Sequence, residues 1–590
     1  MAKARIVASI ILVCTCAFGI PNAIAQHLTS PAHNGVAPVP IGEDVYLFLR
    51  HLSVKGLVND YSEIQLPISE NEVVLLLQSV DTNHLSTAER SIRRKYLRTY
   101  DHNPSESVTM FSTPKADGLF FTGIPTDKDK YLYIWKDDTT FSDLEVHGLG
   151  NLEFRERTSS PKGNVVLGLL GGRFSGTLSG HVGFFMQTTD GRSFGDSTIA
   201  LEDPVISKNK NYSLYSNHTF FDFTTAELAY NYDWFTAKLG REAIAIGGGY
   251  QGENIIVSPT IQAPDYVSLG AHVGAVRYQA IVASILGEAR FSDKQDSTHY
   301  AFGPGSYIDP KFLVLHDLTF MIGKDVEFGF TDMTIFSRRF DLAYVQPFAF
   351  LKSVEHSLND RDNSLLATHF RWRVTNGFEL RGQGLLDDVL ASKIGTGFWG
   401  NKFAWQIGGI WSAPFGLEDV DFAFEHTRVE PFTYSHFNQQ NTFATSGQIL
   451  GSSIGPNSVS YWGQLRWAPS EKVAVEISLN LTERGENYYD STGKLKLFYD
   501  KSGNIMSDGN QGGDFEHTVA YGDGERTFHI LDGNRVNIVT IDAQVSYELW
   551  RGLNVFLRSY SKSVNYLTET PAFPLEKAYG FVAFGAKAIF

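Results

Sequence analysis

From about Phe141 onward the chain repeats with a period of two, and no other feature constrains its fold as strongly. Val539, Ile541, Ala543, Val545, Tyr547 and Leu549 share one face of a strand, and Thr540, Asp542, Gln544, Ser546 and Glu548 share the other. Val473, Val475, Ile477, Leu479 and Leu481 alternate in the same way with Ala474, Glu476, Ser478, Asn480 and Thr482. An apolar face suits lipid, whereas charge on the second face is costly there, so that face must look into a polar lumen. Past the first 25 residues no run of 18 or more apolar residues appears, so nothing reads as a membrane-spanning helix.

These properties predict a mainly β protein, a large antiparallel transmembrane β-barrel over residues 145–590. At about ten residues per strand plus turns that stretch holds roughly 16 to 20 strands; barrels prefer even counts, and about 18 is expected. The 54 glycines and the 13% of aromatic residues agree with many turns and with interfacial girdles. A large periplasmic β protein is the alternative. The segment 578-AYGFVAFGAKAIF-590 places Val582, Phe584, Ala586, Ala588 and Phe590 at every second position. A final amphipathic strand ending in Phe resembles the outer-membrane insertion signal, which makes the barrel-assembly machinery an expected partner through the strand ending at Phe590.

The start of the chain reads as an export signal. Lys3 and Arg5 precede an apolar run from Ile6 to about Ile20, and Ala23-Ile24-Ala25 forms a small-residue cleavage site. Residues 1–25 are therefore expected to be removed, leaving Gln26 first. Cys14 and Cys16 both lie in that peptide, so the mature chain has no thiol for a disulfide, a metal or a nucleophile. Export and a net charge of −15 argue against nucleic acid as a partner.

Between the signal and the barrel the period changes to 3.6. Val45, Phe48, Leu49 and Leu52, then Val73, Leu76, Leu77 and Val80, fall on helical faces. Ser69 with Glu72, and Ser86 with Glu89, match the capping box, in which serine and glutamate satisfy orphan N–H groups. Helices are expected at about 43–56, 70–80 and 87–99, the first ending at Gly56. They make residues 26–105 a helical domain, joined to the barrel by 106–144. The third helix carries Arg90, Arg93, Arg94, Lys95 and Arg98, which read as a solvated face or as a site for phosphate or acidic sugar.

Several short motifs suggest chemistry and fail on context. In 243-AIAIGGGYQGEN-254, Gly247, Gly249 and Gly252 have the spacing of a dinucleotide loop. That loop needs a helix at its end and an acidic residue about 20 positions on; here Glu-Asn-Ile-Ile-Val-Ser-Pro follows, and 267-VSLGAH-272 holds no carboxylate. Glycine inside a strand pattern marks a bulge or a close backbone approach. This segment is expected to line or enter the lumen, with Arg241 and Glu242 on opposite strand faces unless a bulge intervenes. Gly451 to Gly455 spells G-x-S-x-G, but Pro456 and a strand-like 459-VSYWGQLRW-467 follow where a nucleophile elbow needs a helix. Asp500, Ser502 and Asn504 have calcium-like spacing, yet Ile505 stands where the loop needs Gly, so turn chemistry explains them. No H-E-x-x-H occurs. Asp387 and Asp388 could bind a cation or act as acid and base, but strand neighbours point to opposite faces, which favours a rim role. The excursion 484–518 reads as an extracellular loop, with room for a small hairpin of its own.

Together several segments resemble the capsule-assembly Wzi family of outer-membrane proteins. The opening 41-IGEDVYLFLRHLSVKGLVNDYSEIQLPISENEVVLLL-77 is similar to that family's start, a helix ending at "kGl" and then a Pro-led helix entry. The stretch 238-KLGREAIAIGGGYQGENIIVSPTIQAPDYVSLG-270 resembles its glycine block, with Pro259-Thr260-Ile261-Gln262 near the place where the family shows asparagine. In 359-NDRDNSLLATHFRWRVTNGFELRGQGLLDD-388, Asp362, Asn363, Gly377, Asp387 and Asp388 match a further block, and His369 replaces an aspartate. A last match is 447-GQILGSSIGPNS-458.

The resemblance implies a barrel of about 18 strands in the Gram-negative outer membrane, in contact with its lipid, with the helical domain on the periplasmic side. It implies binding of capsular or other surface polysaccharide, with no reaction and no cofactor or metal. Arg241, Glu242, Asp362, Asn363, Asp387 and Asp388 are the candidate motif or lumen positions. Sugars bind through aromatic stacking and polar side chains, so Arg484, Asn487, Tyr488 and Tyr489 are the candidate outer-loop contacts. Two rivals stay open: a porin or diffusion channel, and an outer-membrane hydrolase built from distant strands.

Overall fold

A computed structural model describes residues 34–64, 66–111, 123–201, 206, 210–211, 220–291, 306–492, 494–499, 501–502, 505–518, 526–567 and 576–590. The signal-peptide reading, and Asp500 and Asn504 of the calcium-like spacing, lie outside them. Among the described residues, eighteen antiparallel strands close into one barrel. In chain order they are β1 (Ser142–Arg157), β2 (Asn164–Leu178), β3 (Val182–Gly195), β4 (Phe220–Tyr232), β5 (Phe235–Arg241), β6 (Asp265–Val273), β7 (Val276–Phe291), β8 (Ser306–Ile322) and β9 (Val326–Ser337). They continue as β10 (Asn363–Thr375), β11 (Phe378–Asp388), β12 (Lys402–Ser412), β13 (Val420–Val429), β14 (Ser458–Ser470), β15 (Val473–Glu486), β16 (Asn534–Trp550), β17 (Leu553–Tyr566) and β18 (Glu576–Ile589).

Closure joins β18 to β1 in register from Phe581 with Arg157 to Ile589 with Leu149, and the Phe590 N–H donates to the Gly148 carbonyl. Closing the sheet leaves no edge strand with unpaired backbone groups, which lipid could not satisfy. The period-two pattern sets the two faces. Ile541, Val545 and Tyr547 of β16 and Ile477, Leu479 and Leu481 of β15 are exposed on the outside, and on β2 and β18 Leu170 and Phe584 reach 73% and 60% exposure. Between them, on the inner face, Asp542 of β16 takes a two-pronged contact from Arg558 of β17.

The connections are unequal. At one end the strands turn within two or three residues at 179–181, 233–234, 274–275, 323–325, 376–377, 471–472 and 551–552; at the other, 242–264, 338–362, 389–401, 430–457 and 487–533 are long.

Three helices pack at the short-turn end: α1 (Val45–Val54), α2 (Glu70–Gln78) and α3 (Thr87–Asp101). Their apolar faces meet in one core of Val45, Phe48, Leu49, Leu52, Val73, Leu77, Val80 and Ile92. Ser86 and Glu89 form the full capping box of α3, while at α2 the Ser69 side chain accepts from the Glu72 N–H. Gly56 ends α1 at φ +77°, and a Cβ there would lie 2.4 Å from Asn376 in the β10–β11 turn. The Gly377 N–H donates to the Val54 carbonyl at 2.7 Å, so α1 is seated directly on that turn. The basic residues of α3 are partly consumed in docking: Lys95 pairs with Glu548 at 2.7 Å, and the Arg93 Nε donates to the Leu77 carbonyl.

Candidate functional site

The segment 242–264 leaves β5 and turns into the barrel. The Ile246 and Val257 backbones pair with each other, the Ser258 N–H donates to the Leu450 carbonyl, and Ile244, Ile246, Ile255, Ile256 and Val257 are buried. They pack against inward side chains of β7 to β11, among them Ile281, Leu313, Leu315, Met333, Leu365 and Leu385, and against Tyr434, Phe443 and Leu450 of the 430–457 loop. The interior expected to be polar along its length is therefore apolar where this segment inserts. An inner face can carry leucine once a protein segment replaces water beside it.

No helix begins at Gly252, and the three glycines serve the inward turn. Gly247 has φ +127°, and a Cβ on it would fall 2.1 Å from Gln383 Oε1; Gly252 has φ +80°. A Cβ on Gly249 would lie 2.3 Å from the Glu253 carbonyl oxygen. The Gly249 N–H donates to Asn254 Oδ1, the Tyr250 N–H to Glu425 Oε2 and the Ile255 N–H to Gln383 Oε1. The backbone of the insert is thus satisfied by its own Asn254 and by Glu425 and Gln383 of the barrel wall, as burial demands.

Toward the short-turn end the lumen holds a lattice of charges. Glu327 accepts from Arg277 at 3.0 Å and Arg371 at 2.7 Å, and Glu379 accepts from Arg371 at 3.2 Å and Arg381 at 2.8 Å. Glu63, carried in by the helical domain, takes Arg50 and Arg381, and both guanidiniums also lie against the Tyr250 ring, 5.6 and 4.6 Å from its centroid. Burial alone would raise the Glu63 pKa, but the two arginines outweigh it and hold the carboxyl at about 2. His51 of α1 bridges Glu89 of α3 and Asp421 of β13. Burial pushes this imidazole down; the carboxylates more than reverse that and bring it to about 9. Buried charges persist only when paired, and here the pairs tie the helical domain to the barrel wall.

The predicted positions separate into three places. At the β5 end, Arg241 forks onto Asp265 at 2.7 Å, half exposed, while Glu242 is buried and accepts from the Ala243 N–H. Asp362 and Asn363 come together at the start of β10, where both meet Asn441 and Asp362 also accepts from Tyr344 at 2.8 Å. Asp387 is buried and accepts from the Tyr434 N–H at 2.7 Å, and Asp388, half exposed beyond a register irregularity in the β11–β12 pairing, meets the buried Lys402 at 3.2 Å.

The outer-loop candidates lie together. Asn487 is the pivot: its Oδ1 accepts from the Gln511 and Gly513 N–H groups, and its Nδ2 donates to Asp514. The Tyr489 hydroxyl donates to the same Asp514 carboxylate, and Arg484 donates to the Gly513 carbonyl. Tyr488 holds its ring edge-on to Phe498 of a small hairpin, Leu497–Tyr499 with Ile505–Asp508, which leaves Tyr499 exposed. Asp514, Asn441 and Tyr434 were not legible as partners, because each acts across a long sequence separation and none sits in a motif.

The fold and lumen define a transmembrane β-barrel of the outer-membrane type, with an insert on the β7–β11 side of its interior and helices at its short-turn end. No family model matches the chain, and no curated protein matches it. Among solved structures it is similar to Wzi of Escherichia coli, described as an outer-membrane protein involved in group 1 capsule assembly and a carbohydrate-binding β-barrel. The TM-score is 0.53 at 12% identity, over 94% of this chain and 99% of that one. It is also similar to OprD of Pseudomonas aeruginosa, with a TM-score of 0.39 at 9% identity over 76% and 93%, and to OccAB2 of Acinetobacter baumannii, with 0.41 at 10% over 76% and 98%. The fold is that of Wzi over nearly the full length of both chains, in line with the resemblance read from the sequence.

Proposed function

We propose that this chain is an exported, non-enzymatic outer-membrane barrel that binds or anchors capsular or other surface polysaccharide and assists capsule assembly. Short turns face the periplasm in such barrels and long loops face outside, which supports a periplasmic helical domain and 430–457 and 487–533 loops at the cell surface. The strand ending at Phe590 is what the barrel-assembly machinery would read. One observation carries the reading: the lumen is occupied from within by 242–264 and met from below by α1 to α3, so the long-loop face is left as a platform rather than as the mouth of a pore. The likeness to Wzi supports it. On that platform Tyr488 and Tyr499 offer rings and Arg484 and Asp514 offer polar groups, the combination sugars need, while the buried Asn487 holds the loop that presents them.

Deleting the gene should leave polymer synthesis intact and release polymer into the medium, and the purified protein should retain that polymer on a column. Normal retention at the surface of the deletion strain would end this reading. A diffusion channel instead would give steady current in a planar bilayer, where the filled barrel should be nearly silent.

A further inference from the structure

The 338–362 connection does not stand above the barrel. Asp317 of β8 and Thr331 of β9 point into the lumen, where they bond each other, so His316 and Asp332 point outward. Both are covered by this connection: His316 Nδ1 lies 3.0 Å from the Ala349 carbonyl, and Asp332 accepts from the Leu351 N–H at 2.5 Å, capping a short helix α4 (Leu351–Ser357). Tyr278 of β7 donates to the Pro347 carbonyl. Beneath the strap Val314, Phe336, Tyr344 and Leu351 form a sealed apolar cluster. The strap therefore runs down the outer wall, and its own outward side chains replace the wall it hides: Leu342 is 76% and Phe348 72% exposed, with Phe340 and Phe350 beside them.

Above these apolar residues stand three arginines. β9 has 12 residues; at about 3.3 Å each and a tilt of about 40° it climbs roughly 30 Å, a little more than the apolar band of about 25 Å. Arg338 and Arg339, directly after it, thus sit at headgroup height. With Arg361 they line a cleft of about 180 Å³ that Asp341 and Asp362 also border. Asp341 pairs with Arg339 at 3.2 Å and Arg361 at 2.7 Å, Arg361 also meets Asp362 at 3.2 Å, and the Arg338 guanidinium, with no hydrogen bond or ion pair among the described residues, leaves the cleft one positive charge in excess. On a chain of net charge −15, a cationic cleft directly over an exposed apolar strip is an amphiphile's outline.

We propose that this strap is a binding site for a phosphate-bearing lipid of the leaflet at the long-loop end, with the phosphate on Arg338, Arg339 and Arg361 and the acyl chains along Phe340, Leu342 and Phe348. The cleft sits at the rim, where Asn438 and Asn441 of the 430–457 loop complete its lining, and the acyl strip runs down the outer wall, away from any polysaccharide bound above.

Native mass spectrometry of the full chain in a neutral detergent, titrated with bisphosphorylated lipid A, tests the proposal. Arg338→Gln with Arg339→Gln should weaken retention roughly twenty-fivefold, as two contacts of about fivefold each, while Leu342→Ser with Phe348→Ser should weaken lipid A binding and leave inorganic phosphate binding unchanged. Each variant is first shown to keep the barrel's heat-dependent gel shift. Equal lipid A retention by wild type and the arginine variant overturns the proposal. So does inorganic phosphate that displaces lipid A as well as a second lipid A does, since that marks a simple anion site. Polysaccharide retention by either variant should match wild type, which keeps this outcome separate from that of the surface-polymer reading.

Discussion

His51 Nδ1 lies 2.6 Å from Asp421 Oδ1, and its Nε2 lies 2.8 Å from Glu89, so one imidazole joins α1, α3 and β13. A histidine whose pKa rises from 6.5 unfolded to about 9 folded stabilises fully below pH 6.5 and loses that contribution as pH climbs through 9. Docking of the helical domain should weaken over this window. Amide exchange in α1 and α3, followed from pH 6 to 10 and corrected for intrinsic rates, should accelerate more in the wild type than in His51→Gln. Parallel profiles would contradict the assignment.

Glu63→Gln should be costly for a different reason. It removes the shared partner of Arg50 and Arg381 and leaves two guanidiniums with reduced compensation in the lumen. Breaking one side of a buried pair costs on the order of 3 kcal/mol. Urea unfolding in lipid vesicles should show a loss of that size, and the same variant should raise bilayer conductance above the wild-type baseline if the helical domain shifts.

At the inward turn, Gly247→Ala combines a strained φ with a clash against Gln383, whereas Gly252→Ala faces open space and meets strain alone. The first should destabilise by about 2 kcal/mol or more and the second by about 1 kcal/mol. The temperature at which the folded gel band disappears should fall in that order; equal shifts would mean the Gln383 contact is unimportant.

Asp514→Ala should free the outer loop. It removes the partner of Asn487, Tyr489 and His517 at once. Limited proteolysis of intact cells should then cut within 487–518, at sites protected in the wild type, while barrel stability changes little. Surface-polymer retention should fall with it if the ordered loop carries the contact.

Much of this molecule is written locally. Alternation along 473–482 and 539–549 determined which side chains meet lipid and which meet the lumen, because successive strand residues must point to opposite faces. The helical spacing of Val45, Phe48, Leu49 and Leu52, and the Ser86–Glu89 cap, marked the helices to within a few residues for the same local reason. The destinations of the loops were decided only in three dimensions. The segments 242–264 and 338–362 both interrupt the strand pattern, yet the first is drawn inside by Gln383 and Glu425, and the second is laid on the outer wall by Tyr278, His316 and Asp332. Those partners come from other strands, and from as far as 175 residues away in the chain. A hydrogen bond across such a distance exists only once the barrel has closed around it, so no periodicity in either loop could have announced where it would go.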